Sequence, residues 1–241
     1  MAPPPGYVPY GGGGMPTGPF SRIGGVAKAL VILQVISVVT GLALLLFQVS
    51  LVQRANDFLD DSISLSDFRD GLAPFIAISG VAGLVSIAAL VLQIIWSFRI
   101  AQNLQRLGRP ITWKPGLTIV VWLLGGCTLS IINFLMLREH WKGSDPDVRP
   151  HDAAYANGPV PGLIVGWFVL SLGQVVLSGA SGARSFGGVS VGNSSTAIAE
   201  SLSDRLPLVL AAGLCSLGAT AVLVLIVRQL TARHQRAIGE A

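Results

Sequence analysis

Residues 116–137 read GLTIVVWLLGGCTLSIINFLML, an uncharged run with Gly125 and Gly126 near its centre. A helix needs about 20 apolar residues to cross about 30 Å of hydrocarbon, so this run is long enough to pass straight through. Its glycine pair also combines low helix propensity with the absence of any side chain that would block a sharp turn. Crossing gives the chain five membrane spans; turning back gives it four.

Composition supplies the membrane. Of 241 residues, 51% are hydrophobic and 12% charged, whereas soluble globules carry about 25% charged residues. The 29 glycines fit membrane helices, in which glycine is commoner than in soluble ones, and a disordered or coiled-coil chain is excluded. Four more apolar runs accompany the first: Ala29 to Val52, Pro74 to Phe98, Val160 to Ser178 and Pro207 to Val227.

Basic residues decide between the two topologies. With the N-terminal tail inside, five spans put Arg22, Lys28, Arg99, Arg106, Arg109, Lys114, Arg184 and Arg205 on the cytoplasmic side and the other eight outside, which carries no orientation signal. If residues 116–137 enter and leave on one side, the inside set becomes Arg22, Lys28, Arg99, Arg106, Arg109, Lys114, Arg138, Lys142, Arg149, Arg228, Arg233 and Arg236. That leaves Arg54, Arg69, Arg184 and Arg205 outside, twelve against four. Loops on the cytoplasmic side are enriched in Lys and Arg, so the four-span topology is the expected one. The run at 116–137 is then a re-entrant or interfacial segment, shielded by the other helices as buried non-helical backbone must be.

The flanks agree with this orientation. Residues 53–72 carry Asp57, Asp60, Asp61, Asp67 and Asp70, and residues 179–205 are rich in Ser and Gly; both suit an exterior face. Trp96, Phe98, Trp113 and Trp141 sit beside basic residues and read as anchors at the headgroup level. Residues 1–22, MAPPPGYVPYGGGGMPTGPFSR, read as a disordered cytoplasmic tail with no basic-then-apolar secretory order. Residues 23–236 form one transmembrane domain and 237–241 a cytoplasmic end. Cys127 and Cys215 lie within apolar runs and read as small packing residues.

Chemistry is sparse. The four spanning runs hold amides and hydroxyls such as Gln34, Gln93, Gln174 and Ser216 but no ionisable group at mid-depth, which weighs against pumps, proton relays and intramembrane hydrolases. The amides are expected to hydrogen-bond between helices. Small residues four apart, Gly162 with Gly166 and Ser79 with Gly83, read as close-packing faces. Residues 138–152 gather His140, His151 and several carboxylates, but in no metal-ligand spacing, and read as a solvated loop with local ion pairs. No GxxxxGK[ST], HExxH, GxSxG or CxxC motif occurs. An internal repeat is visible: an acidic residue and proline (Asp70 and Pro74, Asp204 and Pro207) open two apolar runs that end near Gln105-Arg106-Leu107-Gly108 and Gln235-Arg236-Ala237-Ile238-Gly239.

The stretch from Trp96 to Gly108, the run at 116–137, and Arg138-Glu139-His140-Trp141-Lys142-Gly143-Ser144-Asp145-Pro146 together resemble an actinobacterial multi-pass membrane family of uncharacterised role, domain of unknown function 4328. Arg99, Asn103, Leu107, Gly108, Trp113, Asn133, Glu139, Trp141, Ser144 and Pro146 match its pattern, while the family's proline in the central run is missing and Gly125-Gly126 stands nearby. The resemblance covers about residues 25–236 and implies a membrane fold without an activity.

The expectation is therefore an all-α integral membrane helical bundle in the plasma membrane, with four spanning helices in two hairpins and both termini cytoplasmic. Its role is expected to be structural or partner-binding, with Arg99, Asn103, Arg106, Glu139 and Trp141 on the interaction face. The alternative is a small-solute channel or transporter in which residues 116–137 line the path through Asn133. The lipid bilayer and a membrane-protein partner or second copy are the expected contacts. No cofactor, metal, nucleic acid or enzymatic activity is expected.

Overall fold

The computed structural model describes residues 18–186 and 195–240. Its helices are α1 Gly24–Leu59, α2 Leu65–Arg106, α3 Pro115–Leu124, α4 Ile131–Gly143, α5 Gly162–Phe186 and α6 Ser195–Ile238, with a 3₁₀ turn at Ala153–Asn157, and no strand occurs among the described residues. Four stretches are long and apolar enough to cross a membrane: Gly24–Leu59, Leu65–Arg106, Gly162–Ser181 and Leu202–Ile238. Their large apolar side chains point outward, as with Leu84, Leu46 and Ile32 at 71%, 66% and 60% exposure. A soluble protein would have no reason to display so much apolar surface.

α6 packs against both α1 and α5, α2 against α1, and α3 against α2. Glycine lets the backbones close up where α6 meets its neighbours. A Cβ on Gly213 would collide with Leu45 of α1, one on Gly41 would lie 2.9 Å from Leu217, and one on Gly218 would lie 3.2 Å from Leu170 of α5. The glycines expected from spacing alone are not the ones used. Cβ atoms on Gly83, Gly162 and Gly166 would meet nothing within 4 Å, because those faces point away from neighbouring helices. Amide pairing between helices does occur, with Gln34 Nε2 donating to Gln93 Oε1 at 3.3 Å in the core.

The decisive run is broken. α3 ends at Leu124, turns occupy 125–130, and α4 begins at Ile131. The reversal is made by Leu129 (φ 52°) and Ser130 (φ 62°), not by the glycines; Gly125 is right-handed at φ −53°. Gly125 serves through space instead, since a Cβ there would lie 2.5 Å from Asn133 Oδ1. That close approach lets Asn133 Nδ2 donate to Val121 O at 3.2 Å, tying α4 to α3. The two ends of the hairpin also meet, because Glu139 accepts from Thr112 N and from Trp113 N, the latter at 3.0 Å.

α1 and α2, at 36 and 42 residues, run to about 54 and 63 Å, well beyond the hydrocarbon thickness. α2 starts nine residues ahead of Pro74, which the sequence suggested as its opening. The earlier start is set by Ser64 and Asp67, which cap each other's backbone N–H at 3.2 Å. Pro207 likewise falls inside α6. The other ends of the repeat do match. α2 and α6 both finish in a left-handed glycine, Gly108 (φ 68°) and Gly239 (φ 69°), and Arg109 N donates to Leu104 O and Glu240 N to Gln235 O in the same six-to-one closure.

Both ends of the described chain come to one end of the bundle, where Ile23 N donates to Glu240 Oε2 at 3.2 Å. The far end is closed by Ala55, Phe68 and Ala199, with Phe58 and Leu202 packed on them.

Candidate interaction site at the basic end of the bundle

α2, α4, α6 and the segment before α1 converge at the basic end. Asn103, five residues before the capping Gly108, and His234, five before Gly239, are both fully buried and meet each other. Ser21 N donates to Asn103 Oδ1 at 2.8 Å, which fixes the amide's orientation. Asn103 Nδ2 then donates to Ser21 O at 2.9 Å and to His234 Nε2 at 3.2 Å. With Nε2 accepting, the His234 proton is on Nδ1, which donates to Ser144 Oγ at 2.8 Å. The polarity is opposite to that of a general base, which must accept a proton from its serine. Ser144 is also fully buried.

Each residue singled out from the sequence has a place here or in the hairpin. Arg99 donates to Arg22 O at 2.8 Å, and Arg106 donates to Pro19 O and to Ser21 Oγ. With Asn103 they fasten residues 19–22, the end of the expected tail, onto α2; residues 1–17 lie outside the described residues. Glu139 joins the hairpin ends. Trp141 lies under the Arg233 guanidinium at 5.2 Å, and Arg233 forms an ion pair with Asp145 at 2.6 Å. Asn133 stands apart within the hairpin.

Residues 138–152 are a solvated loop only in their second half, where Asp147 and residues 149–152 are exposed; the first half is helix and buried turn. α4 continues to Gly143, and buried Arg109 donates to Asp152 O at 2.9 Å, Val148 O at 2.6 Å and Asp145 O at 3.4 Å while stacking over Tyr155. Trp96 is no headgroup anchor; it is fully buried and donates to Thr231 Oγ1 at 3.0 Å. His140 is fully buried beside the network, and neither ring nitrogen has a hydrogen-bond partner. Burial, reinforced by the His234 ring, pushes its pKa down to about 3 and keeps it neutral. No group of three His, Cys, Asp or Glu able to hold a metal occurs among the described residues.

His234 went unmarked in the sequence. The signal that could have found it is periodicity: Leu223, Val227 and Leu230 form a buried stripe on α6, and stepping on by four from Leu230 lands on His234.

The class defined by this architecture is an integral membrane helical bundle. Within it, the chain belongs to the family described as a domain of unknown function, DUF4328, which it matches over residues 60–232. Comparison with curated proteins and with solved structures finds no match.

Proposed function

We propose that the chain is a multi-pass plasma-membrane protein with a structural or partner-binding role, an accessory protein and not an enzyme, whose basic end and both termini are cytoplasmic. The observation that carries this reading is the clasp. Arg99, Asn103, Arg106, Glu139 and Trp141 are all engaged with partners inside the chain, an arrangement suited to presenting one fixed face and unsuited to turnover. The split of twelve basic residues against four supports a cytoplasmic basic end. In this reading the α3–α4 hairpin is re-entrant: the ten residues of α3 reach about 15 Å, half the hydrocarbon thickness. A transport path is disfavoured because Gln34 and Gln93 bond to each other and Asn133 is buried with its Nδ2 given to Val121 O.

Topology is tested by labelling single cysteines in a Cys127→Ser, Cys215→Ser background. Asp147→Cys should react only from inside and Asp61→Cys only from outside; reaction of Asp147→Cys from outside alone overturns the four-span reading. The role is tested by what co-purifies with the full chain in mild detergent, and by solute flux in reconstituted vesicles. Flux that is abolished by Asn133→Leu replaces the partner-binding role with transport.

A further inference from the structure

At the basic end a groove of about 590 Å³ opens between α1 and α6. Lys28 stands on the α1 wall and Arg228 on the α6 wall, both exposed, and Val31, Ile32 and Ala27 make the apolar surface between them. Arg99, Arg106, Arg109, Lys142 and Arg233 are held by carbonyls, a hydroxyl or a carboxylate of the chain itself. Lys28 and Arg228 have no such partner among the described residues, so both cations are free to meet a ligand, while the Glu240 carboxylate at the Gly24 end of the groove is engaged by Ile23 N and Gly24 N.

Their depth is defined by the sequence. Lys28 immediately precedes the apolar run 29–52 and Arg228 immediately follows the run 207–227, so both lie where hydrocarbon gives way to headgroups. Beyond them toward the middle of the bundle, α1 exposes Ile32, Val35 and Val39 and α6 exposes Leu225. A ligand that fits carries an anionic phosphate at one end and long apolar chains at the other.

We propose that this groove is a binding site for an anionic glycerophospholipid, its phosphate between Lys28 and Arg228 and its acyl chains along the outer faces of α1 and α6. Arginine offers the phosphate a planar two-toothed donor and lysine a compact point charge. Basic pockets between membrane helices on the cytoplasmic side suit such headgroups. Gln235 adds an amide on the same wall, brought close to α1 because Gly24 has no side chain; a Cβ there would lie 2.8 Å from Gln235 Nε2. The leaflet assigned to the lipid rests on the topology proposed above, but binding in detergent does not, so the labelling and lipid experiments fail independently.

The test is native mass spectrometry of the full chain in mild detergent with added phosphatidylglycerol or phosphatidylcholine. The wild-type chain should retain phosphatidylglycerol in preference, and the Lys28→Gln, Arg228→Gln double variant should lose that preference by about tenfold or more, at about 1 kcal/mol for each basic residue near the surface. Lys28→Arg should keep it, as should Arg138→Gln, a change outside the groove. Millimolar glycerol 3-phosphate should not displace the lipid. Equal retention of the two lipids, a double variant that binds as the wild type does, or displacement by glycerol 3-phosphate each overturns the proposal. Because both residues are exposed and unpaired, the variants should melt as the wild-type chain does; if the double variant does not fold, loss of the preference in Lys28→Gln alone decides.

Discussion

At the basic end of the bundle, helix termini are joined by buried side-chain hydrogen bonds running from Ser21 through Asn103 and His234 to Ser144. At the far end, Phe58 and Phe68 stack at 5.1 Å and a capping box starts α2. A stacked cluster tolerates small changes because apolar contacts have no direction. A buried polar chain does not, because removing one member leaves the others unpaired at about 1–3 kcal/mol each. The basic end is therefore the part of the molecule whose shape is specified, and the far end is the part that only has to be covered.

The largest effect should come from the centre of the clasp. Asn103→Ala strands the N–H and C=O of Ser21 and Nε2 of His234 together, and should cost about 3–5 kcal/mol. Unfolding in detergent monitored by circular dichroism measures it. A loss below about 1 kcal/mol, no more than one net hydrogen bond, would remove the contrast between the two ends. Proteolysis near residue 20 should also quicken, since Asn103, Arg99 and Arg106 hold that segment.

Glu139→Ala comes next. It removes the acceptor for Thr112 N and Trp113 N, both at the hairpin mouth, and the charged acceptor makes the expected loss about 2–3 kcal/mol. Glu139→Gln keeps an acceptor oxygen and should recover part of that. Equal damage from both variants would mean that charge, and not the hydrogen bonds, closes the hairpin.

How these features were legible differs from one to the next. The spans were readable because about 20 apolar residues have one use in a chain this poor in charge. The break in 116–137 was readable from two glycines and a charge count, but its geometry was not. Leu129 and Ser130 adopt positive φ against their own preference, in a turn closed by Ser130 N donating to Gly125 O and flanked by the Asn133–Val121 hydrogen bond, which only the folded hairpin creates. The clasp was legible as isolated residues. Arg99, Asn103, Glu139 and Ser144 each match the family pattern, yet nothing local couples Asn103 to a histidine 131 residues away. The matching glycine caps of α2 and α6 were the nearest clue, since they set Asn103 and His234 at the same register.

Acid should separate the two ends. His140 is neutral in the fold, its pKa lowered to about 3 by burial and by the His234 ring, while the unfolded value is about 6.5. Its contribution to stability is complete above about pH 6.5 and is lost as pH falls toward 3, because the unfolded chain then binds a proton that the fold refuses. By pH 5 the loss is about 2 kcal/mol. Melting at pH 7.5 and pH 5 should show a smaller acid penalty in His140→Leu than in the wild-type chain, and an identical penalty would mean that another group carries the acid response.

The smallest effect belongs to the far end. Ser64 Oγ accepts from Asp67 N at 3.2 Å and Asp67 returns the bond to Ser64 N. Ser64→Ala should therefore cost about 1 kcal/mol, the ordinary worth of an N-cap. The change is local, so amide exchange should quicken only in the first turn of α2, while protection around Asn103 and His234 stays as it was. Exchange that spread to the basic end would show the two ends to be one cooperative unit, since α2 is the helix that carries Ser64 at one extremity and Asn103 at the other. Exchange confined to residues 64–68 would show that α2 transmits nothing along its 42 residues, leaving each end stable on its own contacts.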